Sequence, residues 1–511
     1  MARLHEHQAK SILAGAGITI PRGVVARSPD EAAAAAADLG GRVVVKIQAF
    51  TTGRKAIGGV EFSDTPDEAS AQAHRMLGMR VGNFPVTEVL VEECLPFVRE
   101  FFVSLTVDDR TRAPLLLLAA SGGTGIEERA EEVAQIGCSV HDGPDRAALE
   151  AFAKEQGLEG ATGAAFLDTM ERLFGAARDA DARSLEVNPL ALDAAGRFIA
   201  LDCRATIDDY AVFRHPEFGI EIARELDHPP TTLERIAYDI EQDDHRGTFF
   251  FAEMASEPAD GAKGLVGFHG AGGGGSMMSM DAIVNQGYTI ANFTDTSGNP
   301  SAAKVYRAAR IILQQPDLCG YFGSGSGVAS QEQFWSAYGL VKAFWELDID
   351  IPIVVRLGGN AEDRAVAIMH AARSYLSTPI EGYRKTDTPA FVAERFGTLV
   401  EAGGGKLWQP REPRRPGFVG TGGAASFPID GGRLWIDTEA WKKNAGAIVA
   451  QSSGLLRDDA GEPGLAVSPE ELAKKDSELI ACEVECRGMG IEGVFLELDI
   501  PGLGESRKKV L

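Results

Sequence analysis

Apolar and polar positions in the first 45 residues alternate in blocks that predict helix and strand in turn. A helical stretch over 9–14 stops at Gly15-Ala16-Gly17, and 18–25 reads as a strand around Pro21. Ser28-Pro29-Asp30-Glu31 has the side chains of a capping box, with proline at the first helical position. It opens an alanine-rich helix that ends at Gly40-Gly41. Val43-Val44-Val45-Lys46 follows as a strand, and further β-like runs cover 87–92, 101–107 and 115–119. Segments 185–192 and 198–204 flank the turn Asp193-Ala194-Ala195-Gly196-Arg197 and predict a β-hairpin. Together these elements make an α+β domain over 1–225.

The rhythm then changes. Residues 226–262 are polar, rich in Asp, Glu and Pro, and read as a linker. From Gly264 an apolar strand, a glycine-rich loop and a helical stretch recur four times, with strands at 265–268, 289–293, 318–322 and 351–357. Such alternation predicts a doubly wound parallel sheet over 263–400 with its loops on the carboxyl edge, where ligands bind. A stretch dense in Pro, Arg and Gly over 401–417 reads as a second linker. Residues 418–511 read as a small α+β extension with β-like segments at 433–436, 446–450 and 493–498.

Composition narrows the classes of function. The 511 residues carry 50 Lys and Arg against 74 Asp and Glu, a formal charge of −24. Such a balance excludes non-specific binding to nucleic acid or anionic lipid, but leaves room for a local anion site. Six cysteines without a CxxC pair read as reduced thiols. The start MARLHEHQAKS lacks an apolar core, and no apolar run approaches membrane-spanning length; both predict a cytoplasmic protein.

Chemistry concentrates in two places. Glu186 and Asn188 lie two apart on one strand and so share a face. A turn centred on Ala195 sets Asn188 opposite Asp202 on that same face. Two carboxylates and an amide oxygen there suit Mg²⁺ holding phosphate oxygens, although the spacing is equally that of a solvated polar face. Lys46 precedes a turn with Gly53, Arg54, Lys55, Gly58 and Gly59, a pattern that fits polyphosphate as well as an ordinary hairpin. The stretch from Glu92 to Glu100 leads into the strand 101–107, as the wall of a nucleotide cleft would.

These residues fall in motifs that resemble a known family. LHEHQAKSILAGAGITIPRG, VVVKIQAFTTGRKAIGGV, SLEVNPLAL with IALDCRA, YAVFRHP, HGAGGGGSMMSMD, ANFTD and IPIVVRLGGN occur in order from residue 1 to near residue 400. They resemble the β subunit of succinyl-CoA synthetase and its NDP-forming acyl-CoA synthetase relatives. The resemblance implies an ATP-grasp domain, then a flavodoxin-like CoA-ligase domain. It implies ATP or ADP phosphates at Lys46, Gly53 and Arg54, with Glu92 and Glu100 lining the adenine and ribose cleft. It also implies Mg²⁺ at Asn188 and Asp202 with Glu186 beside them, and Pro21 favours ATP over GTP. CoA and the phosphohistidine belong to an α-type partner subunit, since neither a CoA-binding Rossmann unit nor the GHAGA histidine motif is present here.

Departures from the family pattern carry information of their own. The family loop GGRGKAGG reads TGRKAIGG here, which leaves open whether Arg54 or Lys55 reaches the phosphates. The NGAG turn has become His269-Gly270-Ala271-Gly272, making His269 a candidate phosphate carrier, a supporting contact or a structural residue. The carboxylate-binding GG-x-x-R loop has become Gly325-Ser326-Gly327-Val328-Ala329 and has lost its arginine. Succinate's distal carboxylate would lose a bidentate partner, so the substrate is expected to be another carboxylic acid. Two other readings are a partner-independent ATP-grasp ligase and a non-catalytic nucleotide-binding subunit. Met277, Met278 and Met280 are expected in the core, and Arg411, Arg414 and Arg415 in a solvated linker.

Overall fold

The computed structural model describes all residues except 52, 123–132, 244–246, 326, 328, 460 and 504–511. It divides into two compact units, Met1–Pro230 and Thr231–Leu511.

In the first unit, a four-stranded antiparallel sheet runs in the order Gly23–Ala26, Val89–Glu93, Val43–Ile47, Val60–Ser63. The helices Pro29–Leu39 and Pro66–Leu77 cover it, and their alanines meet the valines of the sheet in a core of small residues. Ser28 caps the first helix by accepting from the Glu31 amide at 3.2 Å. The Glu31 carboxylate reaches the Arg27 amide instead of closing the box on Ser28. A larger, eight-stranded sheet contains the hairpin. Its register pairs Leu190 with Ala200 and Glu186 with Arg204, as a turn centred on Ala195 requires. The ladder is interrupted at 201–203, between Phe198–Ala200 and Arg204–Ile207, and Asp202 sits in that gap.

The second unit is built on a six-stranded sheet ordered Phe250–Glu253, Thr289–Asp295, Leu265–Ala271, Leu318–Gly325, Ile353–Arg356, Ile380–Tyr383. All neighbours are parallel except the first pair. The expected linker 226–262 therefore carries structure: a helix, Thr232–Asp243, and the antiparallel edge strand. On one face lie the helices Gly273–Asn285 and Pro389–Ala402. Gly273–Asn285 turns Ser276, Ser279 and Ile283 inward, so Met277 and Met278 face outward, contrary to expectation, and only Met280 joins the core.

On the other face lie the helices Ala302–Ile312, Phe334–Glu346 and Glu362–Ala371. Residues 418–511 do not stand apart as a third body; they share this face's core. Gly432–Asp437 lies between Ala424–Ile429 and Val494–Leu498 in a three-stranded antiparallel sheet, and the helix Asp476–Gly488 packs on Phe334–Glu346. The expected strand 446–450 is instead part of the helix Thr438–Gln451, capped by Asp437 and burying Trp441 and Ile448 at helical spacing. The stretch 401–417 is likewise held down. Trp408 is fully buried and bonds Leu318 and Leu313, and Arg411 pairs with Asp350, Arg414 with Asp348 and Arg415 with Glu497.

Candidate active site

The first helix, Glu6–Gly15, lies where the two sheets of the first unit meet, and its i, i+4 pair Glu6 and Lys10 organises the site. Lys46 Nζ donates to Glu6 Oε1 at 2.8 Å and to the Leu201 carbonyl at 2.7 Å, and lies 2.7 Å from Glu92 Oε2. Lys10 Nζ donates to both oxygens of Glu92, at 2.6 and 2.7 Å. Arg54 completes the cluster by pairing with Glu6 Oε2 at 2.6 Å and Asp202 Oδ2 at 2.7 Å.

Arg54, not Lys55, is the side chain turned inward; Lys55 is exposed. The turn allows this because Gly59 lies against Ile47, where a Cβ would come 2.5 Å from the Ile47 side chain. Gly53, with φ +63°, opens the same turn.

Burial opposes the charges in this cluster, and their neighbours overcome it. Glu6 and Glu92 hold the Lys46 pKa above the ordinary lysine value despite desolvation. Burial would raise the Glu6 carboxyl, but Lys46, Lys10 and Arg54 pull it well below the usual carboxylate range.

Beside the cluster opens a pocket of about 470 Å³, lined by Glu6, Arg54, Ser104, Glu186, Arg204 and neighbours. Its volume is in the range of small-molecule sites. Asp202, the partner of Arg54, keeps its Oδ1 buried without a hydrogen-bond partner. An orphaned carboxylate oxygen in the hairpin gap, with the Asn188 amide two positions from Glu186, is a donor set that fits Mg²⁺. Glu100 lies elsewhere, on Arg99–Asp108 opposite Ala191 and outside the cluster. The sequence reading missed Glu6 and Lys10; their i, i+4 spacing within LHEHQAK was the available signal.

At the carboxyl edge of the second sheet, His269 is buried. Its Nδ1 lies 2.6 Å from Tyr321 Oη and its Nε2 3.1 Å from Thr296 Oγ1. Burial pushes its pKa down to about 3, so the ring is neutral with both nitrogens engaged. Gly325 ends its strand, Gly327 follows with φ +80°, and Ser326 lies outside the described residues. Asp295 accepts from the Gly272 and Ser297 amides, both at 2.8 Å, and so shapes the glycine-rich start of the helix Gly273–Asn285. Among the described residues no helix is long and apolar enough to cross a membrane.

Comparison with known proteins bears on both units. A family model of the ATP-grasp domain matches residues 3–192, and one described as ATP citrate lyase citrate-binding matches 261–394. The GDP-forming succinate–CoA ligase β subunit of Thermus thermophilus is 32% identical over 378 residues, 73% of this chain and 94% of that protein. The ADP-forming β subunit 2 of Streptomyces coelicolor is 34% identical over 417 residues, 78% of this chain and 99% of that one. The solved ATP citrate lyase of Methanothrix soehngenii, in complex with citrate and coenzyme A, shares the fold. Its TM-score is 0.63 at 20% identity, covering 78% of this chain and 99% of that one. Fold and cluster thus define an ATP-grasp ligase. The chain belongs to the succinate–CoA ligase β-subunit family, and neither family model reaches beyond residue 394 into its C-terminal segment.

Proposed function

We propose that this chain is the nucleotide-handling β-type subunit of an ADP-forming acyl-CoA synthetase. The reaction is carboxylate plus CoA plus ATP to acyl-CoA, ADP and phosphate, by way of an acyl phosphate and a phosphohistidine on an α-type partner. The observation that carries the reading is the cluster of Lys46, Arg54, Glu6 and Asp202, of which Arg54 and Glu6 line an open pocket.

Lys46 and Arg54 exchange carboxylate partners for phosphate oxygens when nucleotide enters, because phosphate offers the same charge-assisted geometry. Asn188 and Asp202 would hold Mg²⁺, which would supply positive charge beside the nucleotide phosphates. Glu186, lining the pocket, orients groups beside the metal. Glu100 and its strand, Arg99–Asp108, wall the nucleotide cleft. Neutral His269 holds the Thr296 hydroxyl through Nε2 and steadies the loop that faces the acid; phosphoryl transfer to it would require breaking one of its two contacts.

The acid is not succinate but a bulkier polycarboxylate of the citrate type. Loss of the loop arginine at 325–329 and the citrate-binding match over 261–394 support this. The test is purification with the α-type partner and assay of ADP-coupled thioester formation across a panel of acids including citrate and succinate. The expected result is thioester from citrate or a close analogue, with phosphate on the partner's histidine. Turnover by the isolated chain without phosphohistidine would establish the partner-independent ligase, and nucleotide binding without phosphate exchange the non-catalytic subunit.

A further inference from the structure

Two ammonium groups meet at the heart of the cluster in the first unit. Lys10 comes from the inward side of the helix Glu6–Gly15, and Lys46 from the strand Val43–Ile47. Their Nζ atoms contact the same three oxygens. Glu6 Oε1 lies 2.8 Å from each, and Glu92 Oε2 lies 2.7 Å from each. The Leu201 carbonyl accepts from Lys10 at 2.8 Å and from Lys46 at 2.7 Å. Lys10 also donates to Glu92 Oε1 at 2.6 Å. Every oxygen that Lys46 touches is therefore touched by Lys10 as well.

At rest such duplication is unfavourable, because two like charges drawn onto shared acceptors repel each other. It lowers a different cost. Pulling a cation off a buried carboxylate strands the acid, and a buried acceptor left without a donor loses more than the bond contributed. When Lys46 leaves, Glu6 Oε1, Glu92 Oε2 and the Leu201 carbonyl each keep Lys10. Lys46 is also the less buried of the two, at 8% exposure against 2%, and so the one able to turn away.

The duplication matters most for Glu92. Glu6 has a further cation in Arg54, 2.6 Å from its Oε2. Among the described residues, Glu92 has Lys10 and Lys46 alone within ion-pair distance.

We propose that Lys10 is a positioning residue: a resident counter-ion that keeps Glu6, Glu92 and the Leu201 carbonyl satisfied while Lys46 turns to a nucleotide phosphate. Lys10 does not touch the nucleotide; its effect passes through Lys46. This rests on the nucleotide-handling reading above.

The test is calorimetric titration of the full chain with MgADP in wild type, Lys10→Met, Glu92→Gln and the double variant Lys10→Met/Glu92→Gln. In Lys10→Met, Lys46 becomes the one cation on Glu92, and MgADP binding is expected to weaken about tenfold or more. With Glu92 made neutral no acid is stranded, so adding Lys10→Met to Glu92→Gln should weaken binding by less than about threefold. A crystal structure of the MgADP complex should show Lys46 Nζ on a phosphate and Lys10 Nζ still between Glu6 and Glu92.

Equal losses in the two backgrounds overturn the proposal, because a lysine that only fills space is missed alike with or without the Glu92 charge. MgADP affinity equal to wild type in Lys10→Met overturns it too, as does a complex in which Lys10 itself holds a phosphate. Should Lys10→Met alone not fold, Glu92→Gln against the double variant carries the test. Affinities within about threefold then support the resident counter-ion, and a tenfold gap overturns it. Wild type that binds no MgADP removes the nucleotide-handling reading and this proposal with it, whereas binding that ignores Lys10 removes the proposal alone.

Discussion

The two units each bury a cluster of opposite charges, and the clusters differ in what surrounds them. In the first, Glu6, Glu92 and Asp202 balance Lys10, Lys46 and Arg54; Asp202 remains 24% exposed, and Glu6 and Arg54 line an open pocket. In the second, Lys342 lies 2.7 Å from both Glu346 and Glu483, Arg310 reaches Glu346 at 2.9 Å, and Arg487 reaches Glu483 at 3.1 Å. There Lys342 and Glu483 are 0% and 1% exposed, sealed under the C-terminal segment. A charge pair beside an opening can trade its partner for a ligand; the same pair without one only holds helices together. Access, not residue type, separates a site from a rivet.

Removing one member of each cluster separates the two behaviours. Lys342→Met removes the cation that Glu346 and Glu483 share, leaving each with its own arginine but the two carboxylates facing each other, and is expected to cost about 3–5 kcal/mol of stability, read as a lower urea midpoint. MgADP affinity of the folded fraction should not change; if nucleotide affinity falls while stability holds, the comparison is inverted. In the reaction proposed above, Lys46→Met is expected to slow ATP-dependent phosphorylation of the α-type partner's histidine by about 10²–10³-fold. Its stability loss should be the smaller of the two, since Glu6 and Glu92 keep Lys10 and Arg54. A rate within threefold of wild type would remove Lys46 from the phosphate site.

His269 sharpens the contrast through pH. Its folded pKa is depressed from 6.5 to about 3, so the unfolded chain takes up the proton first as pH falls. Its contribution is intact above about pH 6.5 and is lost on acidification toward pH 3, by up to about 1.4 kcal/mol per pH unit. His269→Asn should flatten that slope in unfolding experiments across pH 4–6.5; an unchanged slope would place the acid sensitivity elsewhere. The smallest effect is expected for Arg415→Ala, whose ion pair with Glu497 involves an arginine that is 62% exposed. Less than about 1 kcal/mol should be lost.

Much of the fold was legible because it repeats or is local. The four strand–loop–helix units gave the parallel sheet, and the turn at Ala195 set the hairpin register. Lys46 was legible as a cation ending a strand before a glycine turn. Glu6 and Lys10 were not, because apart from each other their side-chain partners lie 40 to 82 residues away in sequence, and i, i+4 spacing alone does not mark a helix face as buried. The segment 446–450 misled because an apolar run of five suits either a strand or the buried side of a helix.

The pairing of Lys342 with Glu483 spans 141 residues, and Val494–Leu498 adds the final strand of its sheet. In order of synthesis this makes the two units unequal. The first is closed once Arg204–Ile207 has paired with Ala2–Arg3, before any of the second has left the ribosome. The second must carry Lys342, with only Glu346 of its own helix as partner, on a helix destined for burial until residue 483 has been made. Its period of exposure, and hence its need for protection during translation, is set by the position of one glutamate near the carboxyl end.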